Sequence, residues 1–134
     1  MKKVLVTGTF DILHPGHLSL FKQAKRLGDF LIVVVARNST VFNVKGKKPR
    51  HNQKQRVRQL GKIRIINRIV LGQPGDKLKV VERQKPDVIG LGYDQRIFTK
   101  NLRAELKKRG LRVRIVRLKP YQPDRYKSSL LRRA

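Results

Sequence analysis

Apolar residues recur along this chain in two alternating rhythms. Short, nearly continuous apolar runs occupy 2–8, 30–36 (FLIVVVA), 63–71 (IRIINRIVL), 87–92 (DVIGLG) and 112–118 (RVRIVRL). Runs of this length, rich in Val and Ile, predict five β-strands, and the second and fourth, with the fewest polar interruptions, read as strands buried on both faces. Between them the apolar positions space out. Leu18, Phe21, Ala24 and Leu27 recur every third residue within 16–27, ahead of Gly28 as a candidate C-cap. Further amphipathic stretches cover 52–61, 76–85 and 99–109, the last carrying Leu102 and Leu106 before Gly110. Strand and helix thus alternate from end to end, which predicts an α/β fold: a single Rossmann-like domain with a parallel five-stranded sheet and helices on both faces.

Sheets of this kind bind ligands beyond the carboxyl ends of their strands. The stretches to inspect are therefore 8–17, 37–51, 72–76, 92–98 and 118–128. The connection over 37–52 is long for a compact domain, as functional loops often are.

The chain has 134 residues, which makes residues 1–134 one domain. A domain of that size buries roughly two thirds of its unfolded surface, enough for a core without covalent staples. The absence of cysteine excludes disulfides and thiolate metal sites and favours an intracellular setting. The longest apolar run is too short to span a bilayer, and no signal-peptide pattern opens the chain. The expectation is a soluble, cytoplasmic protein with no membrane partner. Charge adds a further element: 34 basic residues against 8 acidic ones leave a formal net charge of +26. Such a surface attracts phosphate polyanions, nucleic acid among them, yet the basic residues are spread over every segment rather than gathered in a tail.

Residues 7–17 read TGTFDILHPGH. Gly8 permits a tight turn after the first strand, and Pro15 and Gly16 open the first helix, placing His14 and His17 at its amino end. Free N–H groups and the positive pole of the helix dipole make that end a phosphate site, to which two imidazoles add directional donors. The chain has only three histidines. Two of them standing three residues apart on the predicted ligand face mark this stretch as the candidate site.

These residues resemble the signature GTFDxxHxGH of the cytidylyltransferase-type nucleotidylyltransferases, relatives of the class I aminoacyl-tRNA synthetase catalytic domain. Gly8, Thr9, Phe10, Asp11, His14, Gly16 and His17 fill the motif. The likeness continues through VVVARNSTVFNVKGKKPRHNQKQR (33–56), GLGYDQ (90–95) and the serine pair 128–129. Within the family, GTFDILHPGH with LGYDQ most resembles the archaeal FAD synthases, which join FMN to the AMP of ATP. The glycerol-3-phosphate cytidylyltransferases are the nearest competitor. They tend to carry Trp where this chain has Pro15, and to end in an Arg-Thr-Glu-Gly-Ile-Ser-Thr-Thr motif where it has RLKPYQPDRYKSS.

The resemblance implies transfer of a nucleotidyl group, most simply AMP from ATP to FMN, with release of pyrophosphate. His14 and His17 would contact the phosphates and, with Lys45, carry catalysis. Gly8, Thr9, Phe10, Gly16, Arg56, Asp94, Tyr121, Ser128 and Ser129 would join the two histidines in binding the nucleotide, with Arg56 on the pyrophosphate. Asp11 either holds a Mg²⁺ (or another divalent cation) that bridges the phosphates or closes the turn through the backbone. Phe42, Phe98 and Tyr121 lie on candidate loops and could wall an isoalloxazine slot. ATP or CTP and FMN would be the small-molecule partners, and the family implies a homodimer, which so many like charges oppose unless anions screen them. Two rival readings stand beside this one: a CTP-dependent enzyme acting on glycerol 3-phosphate, and a basic nucleic-acid-binding module on the same scaffold. Against the latter, aromatic residues are only 6% of the chain and are not interleaved with the basic ones as base-stacking surfaces require.

Overall fold

The computed structural model describes residues 1–38, 49–72, 78–92 and 101–120. In chain order they form β1 (Lys3–Gly8), α1 (Pro15–Arg26), β2 (Phe30–Val35), α2 (Gln53–Leu60), β3 (Arg68–Leu71), α3 (Lys79–Gln84), β4 (Val88–Leu91), α4 (Leu102–Lys108) and β5 (Arg114–Arg117). The strands make one sheet in the order β3-β2-β1-β4-β5. Every neighbouring pair is parallel, with Lys3 to Gly8 opposite Phe30 to Val35 and Val4 opposite Val88. The expected α/β architecture is thus the observed one.

Alternation along the strands divides the core into two layers. Val4, Val6, Leu31, Val33 and Val35 face α1 and α2, where Phe21, Ala24 and Leu60 meet them. Leu5, Ile32, Val34 and Ile89 face α3 and α4, against Val80, Val81, Leu102 and Leu106. The strands expected to be buried on both faces, β2 and β4, lie on either side of β1 at the centre of the sheet.

The third apolar run departs from expectation. Only its last four residues are strand; Ile63, Ile65 and Ile66 pack against the first core layer from a turn, in which Ile66 N–H bonds Ile63 O at 3.2 Å. Asn67 then takes the place of a strand end. Its N–H donates to Leu31 O at 3.0 Å, while its side-chain Oδ1 accepts Leu31 N–H at 2.8 Å and a bond from Lys25 Nζ. The run is apolar because it is buried, not because it is extended. Gly28 also differs from the reading as a cap: Leu27 is the cap residue. A Cβ at Gly28 would lie 2.6 Å from Lys2 O, so glycine there lets the chain pass close enough for Asp29 N–H and Phe30 N–H to reach that same oxygen.

From β1 the chain crosses toward β2, and from β4 it crosses the other way toward β5. This reversal opens a crevice beyond the carboxyl ends of β1 and β4, where ligands of doubly wound sheets bind. No helix among the described residues is long and apolar enough to cross a membrane.

Candidate functional site

The first strand ends at Gly8, and the turn after it is built around an aromatic ring. Phe10 takes φ 51°, left-handed and uncommon for a residue with a side chain. Its ring folds back over Gly8, where a Cβ would sit 2.7–3.0 Å from three ring atoms. The buried ring then packs on Phe21 (centroids 5.2 Å apart) and meets His17 edge-on at 5.4 Å. Glycine at 8 and an aromatic at 10 are therefore one device.

His14 is the N-cap of α1, with extended backbone and its Nδ1 accepting Gly16 N–H at 3.0 Å. Pro15 follows at the first helical position, where a missing N–H does no harm. A neutral imidazole that accepts at Nδ1 carries its proton on Nε2, so the cap selects a donor for the ligand side. Burial lowers the pKa of His14 below the ordinary histidine value and holds the ring neutral. His17 stacks on it, with centroids 3.9 Å apart and planes 29° from parallel, and its Nδ1 is buried. The first turn of this 12-residue helix contains no acid. Two oriented imidazoles and the helix N–H groups together form a site suited to phosphate.

Asp11 faces inward and is 3% exposed. Its Oδ2 accepts Arg50 N–H and its Oδ1 accepts His51 N–H, both at 2.7 Å. His51 Nδ1–H donates to the Asp11 carbonyl oxygen at 2.8 Å. Both carboxylate oxygens thus tie to the backbone of residues 50 and 51, as expected of the alternative in which Asp11 closes the turn through the backbone. Among the described residues no group of three or more His, Asp or Glu side chains gathers into a metal site.

Arg56 stands on the other side of the same turn. A capping box between Asn52 and Gln55 fixes the start of α2, which turns Arg56 inward while Lys54 and Arg58 stay exposed. Arg56 is fully buried, and burial lowers its pKa, though a guanidinium remains charged. Its Nη1 donates to Thr9 O at 2.8 Å, Nη2 to Asn38 Oδ1 at 2.9 Å and Nε to His51 O at 3.1 Å. The structure therefore places the guanidinium behind the turn, on three protein acceptors.

Gly8, Thr9, Phe10, Asp11, His14, Gly16, His17 and Arg56 are thus brought together. Lys45, Asp94, Tyr121, Ser128 and Ser129, with Phe42 and Phe98, lie outside the described residues. Sequence reasoning missed His51 and Asn38. His51 was the remaining histidine and directly precedes a capping-box pattern, N-x-x-Q, a signal that it sits in a structured helix entry.

The sequence profile of the cytidylyltransferase-like family matches residues 5–134, and the chain belongs to that family. The FAD synthase of Aciduliprofundum boonei is 47% identical over 121 residues, covering 90% of this chain and 80% of that protein. The FAD synthase of Thermoplasma volcanium is 42% identical over 133 residues, 99% of this chain and 93% of that protein. Among solved structures, a lipopolysaccharide core biosynthesis protein from Thermoplasma volcanium superposes with a TM-score of 0.87 at 43% identity, over 91% of this chain and 99% of that one. A pantoate-beta-alanine ligase from Francisella tularensis shares the fold, with a TM-score of 0.72 at 18% identity over 99% of this chain and 65% of that one.

Proposed function

We propose that this chain is an FMN adenylyltransferase, moving AMP from ATP to FMN with release of pyrophosphate. The observation that carries the reaction type is the stacked His14–His17 pair at the amino end of α1. The acceptor is read from the FAD synthases that match the chain over nearly its whole length.

A terminal phosphate oxygen of FMN attacks the α-phosphorus of ATP in line. The new P–O bond forms as the bond from the α-phosphorus to the bridging oxygen breaks, and pyrophosphate departs with that electron pair. A phosphate dianion is already a competent nucleophile, so no general base is required. The engagement of Asp11 in the turn agrees with this. What the protein supplies is alignment and donors for charge that builds on the transferred and leaving phosphates. The N–H groups of the first turn of α1 and the Nε2–H that the cap selects on His14 serve that role, with His17 stacked beside it.

Lys45, Asp94, Tyr121, Ser128 and Ser129 keep in this reading the roles the resemblance implies. A divalent cation bound with the triphosphate, with Asp11 as a candidate to help hold it, would offset charge on the phosphates. A cytoplasmic setting and a homodimer go with this reading as expectations.

One observation favours polyanion binding as an additional property. Each of the five carboxylates among the described residues is engaged: Asp11 as above, Asp29 with Lys2 N–H, Asp87 with Lys3 N–H, Glu82 with Arg109 and Glu105 with Lys108. Acids stand where the fold uses them, and the exposed cations outnumber them heavily.

The deciding assay is pyrophosphate release with ATP or CTP as donor and FMN or glycerol 3-phosphate as acceptor. Turnover with ATP and FMN, yielding FAD, supports the proposal. A productive pairing of CTP with glycerol 3-phosphate would replace the substrates and keep the mechanism. Salt-dependent nucleic-acid binding without turnover on any pair would overturn the enzyme reading.

A further inference from the structure

The turn that presents the two histidines is held from both sides. On one side the Phe10 ring plugs the space over Gly8 and touches His17. On the other side stands Arg56. A left-handed residue such as Phe10 persists only where its surroundings over-determine it. The carbonyl immediately before it, Thr9 O, is the one that accepts Arg56 Nη1–H.

The other two bonds of the guanidinium extend the hold. Asn38 follows β2 and His51 precedes α2, so one planar fork joins three segments gathered at the carboxyl edge of the sheet. Asp11 adds a second tie between the same turn and residues 50–51. For Arg56 to grip a pyrophosphate instead, it would have to abandon the Thr9 and His51 carbonyls and the Asn38 amide, leaving three part-buried acceptors without that donor.

We propose that Arg56 is a positioning residue for the phosphate-binding histidines: it fixes the Thr9–Phe10 turn, and through it the stacked His14–His17 pair, without touching substrate. This rests on the reading of that pair as the phosphate site. A lysine at 56 would keep the positive charge but not the fork, because a single ammonium cannot hold three acceptors in a plane. A shift of the turn by even a fraction of an ångström moves the donors off the reacting phosphates, which is sufficient for a large loss of rate.

The test is Arg56→Lys, read first in ligand-free protein by nitrogen-15 NMR of the imidazoles; with three histidines in the chain the spectrum is readable. The expected result is a change in the His14 and His17 signals, including erosion of the Nε2–H tautomer of His14, together with a kcat lowered roughly tenfold or more and a smaller change in KM for ATP. Unchanged imidazole signals overturn the proposal whatever the kinetics. With weakened pyrophosphate inhibition they would mark Arg56 as a direct ligand contact, and with a lowered Tm alone they would mark it as mere packing. Should Arg56→Lys fail to fold, Asn38→Ala removes one of the three acceptors and is read in the same way, with smaller shifts expected and unchanged signals again fatal. If the wild-type protein makes no FAD, the substrate reading fails, while the ligand-free spectra still decide the role of Arg56.

Discussion

Two stretches meet at the carboxyl edge of the sheet, residues 8–17 and residues 49–56, and they are built on opposite plans. In the first, partners are local: Phe10 over Gly8, His14 capping onto Gly16, His17 against both Phe10 and His14. In the second, the important partners are distant in sequence. Asp11 reaches Arg50 and His51 across 39 and 40 residues, and Arg56 reaches Thr9 across 47. The local stretch presents chemistry, and the distant one keeps it in shape. A phosphate site whose capping imidazole is held neutral by burial relies on the placement of its donors rather than on charge. Its precision therefore depends on a support that is itself polar and buried.

The largest effect expected from breaking this arrangement falls on the presenting side. Removing either imidazole, as His14→Ala or His17→Ala, takes away a donor aimed at developing charge and is expected to lower kcat by about 10²–10³, measured as FAD formation under saturating substrates. The two variants differ in stability. His14→Ala also loses the helix cap, about 1 kcal/mol, whereas His17→Ala keeps it. His14→Asn sharpens the contrast: asparagine caps helices well but has no Nε2–H, so thermal stability should return toward wild type while activity stays low. Recovery of activity in His14→Asn would show that His14 serves the helix alone.

On the supporting side, Asp11→Ala should act chiefly on stability. It removes the acceptor of two charge-assisted bonds from the Arg50 and His51 N–H groups, for a loss of about 3 kcal/mol, visible in urea or thermal unfolding. The loss is expected to be the same with and without Mg²⁺ in the absence of nucleotide. A Mg²⁺-dependent stabilisation of the ligand-free wild type that vanishes in Asp11→Ala would restore Asp11 as a metal ligand.

This division also explains what was legible in the sequence. Alternating apolar runs were sufficient for the sheet and its helices, because burial on two faces leaves a direct trace in composition. They failed at 63–67, where Ile63, Ile65 and Ile66 are apolar for packing and Asn67 supplies the ladder's last bonds with its side chain. The His14–His17 site was legible because its geometry follows from helix-start chemistry within ten residues. The inward turn of Arg56 was not, since a basic residue in an amphipathic helix normally faces water, and only the acceptors left by Thr9, Asn38 and His51 make burial favourable. With exposed Arg58 two positions on, residue type alone offered no way to choose between them.

Gly8→Ala tests the local plan from within. The added Cβ would lie 2.7 Å from the tip of the Phe10 ring, so either the ring leaves its place or the strand end shifts, at a cost of about 1–3 kcal/mol. If the ring leaves, His17 loses its edge contact and activity falls along with stability. Phe10→Leu in the Gly8→Ala background should relieve the clash, so the double variant is expected to be more stable than the sum of the single effects predicts. Simple additivity would mean that Gly8 and Phe10 are not one device.

The smallest effect expected is a pH dependence that arises on the presenting side. Burial depresses the pKa of His14 in the folded protein below its unfolded value of about 6.5. The unfolded chain therefore takes up its proton first as pH falls. The contribution of the neutral ring to stability is complete above that unfolded value and is lost as pH drops through the lower folded pKa. Protonation at Nδ1 also removes the acceptor for Gly16 N–H, so the cap and the activity should fail together on the acid side. Wild-type protein should then lose activity as pH falls through the lowered pKa of His14. In His14→Asn the stability loss in that window should disappear. An acid limb of stability that persists unchanged in His14→Asn would assign it to another group and break the link between the cap and the site.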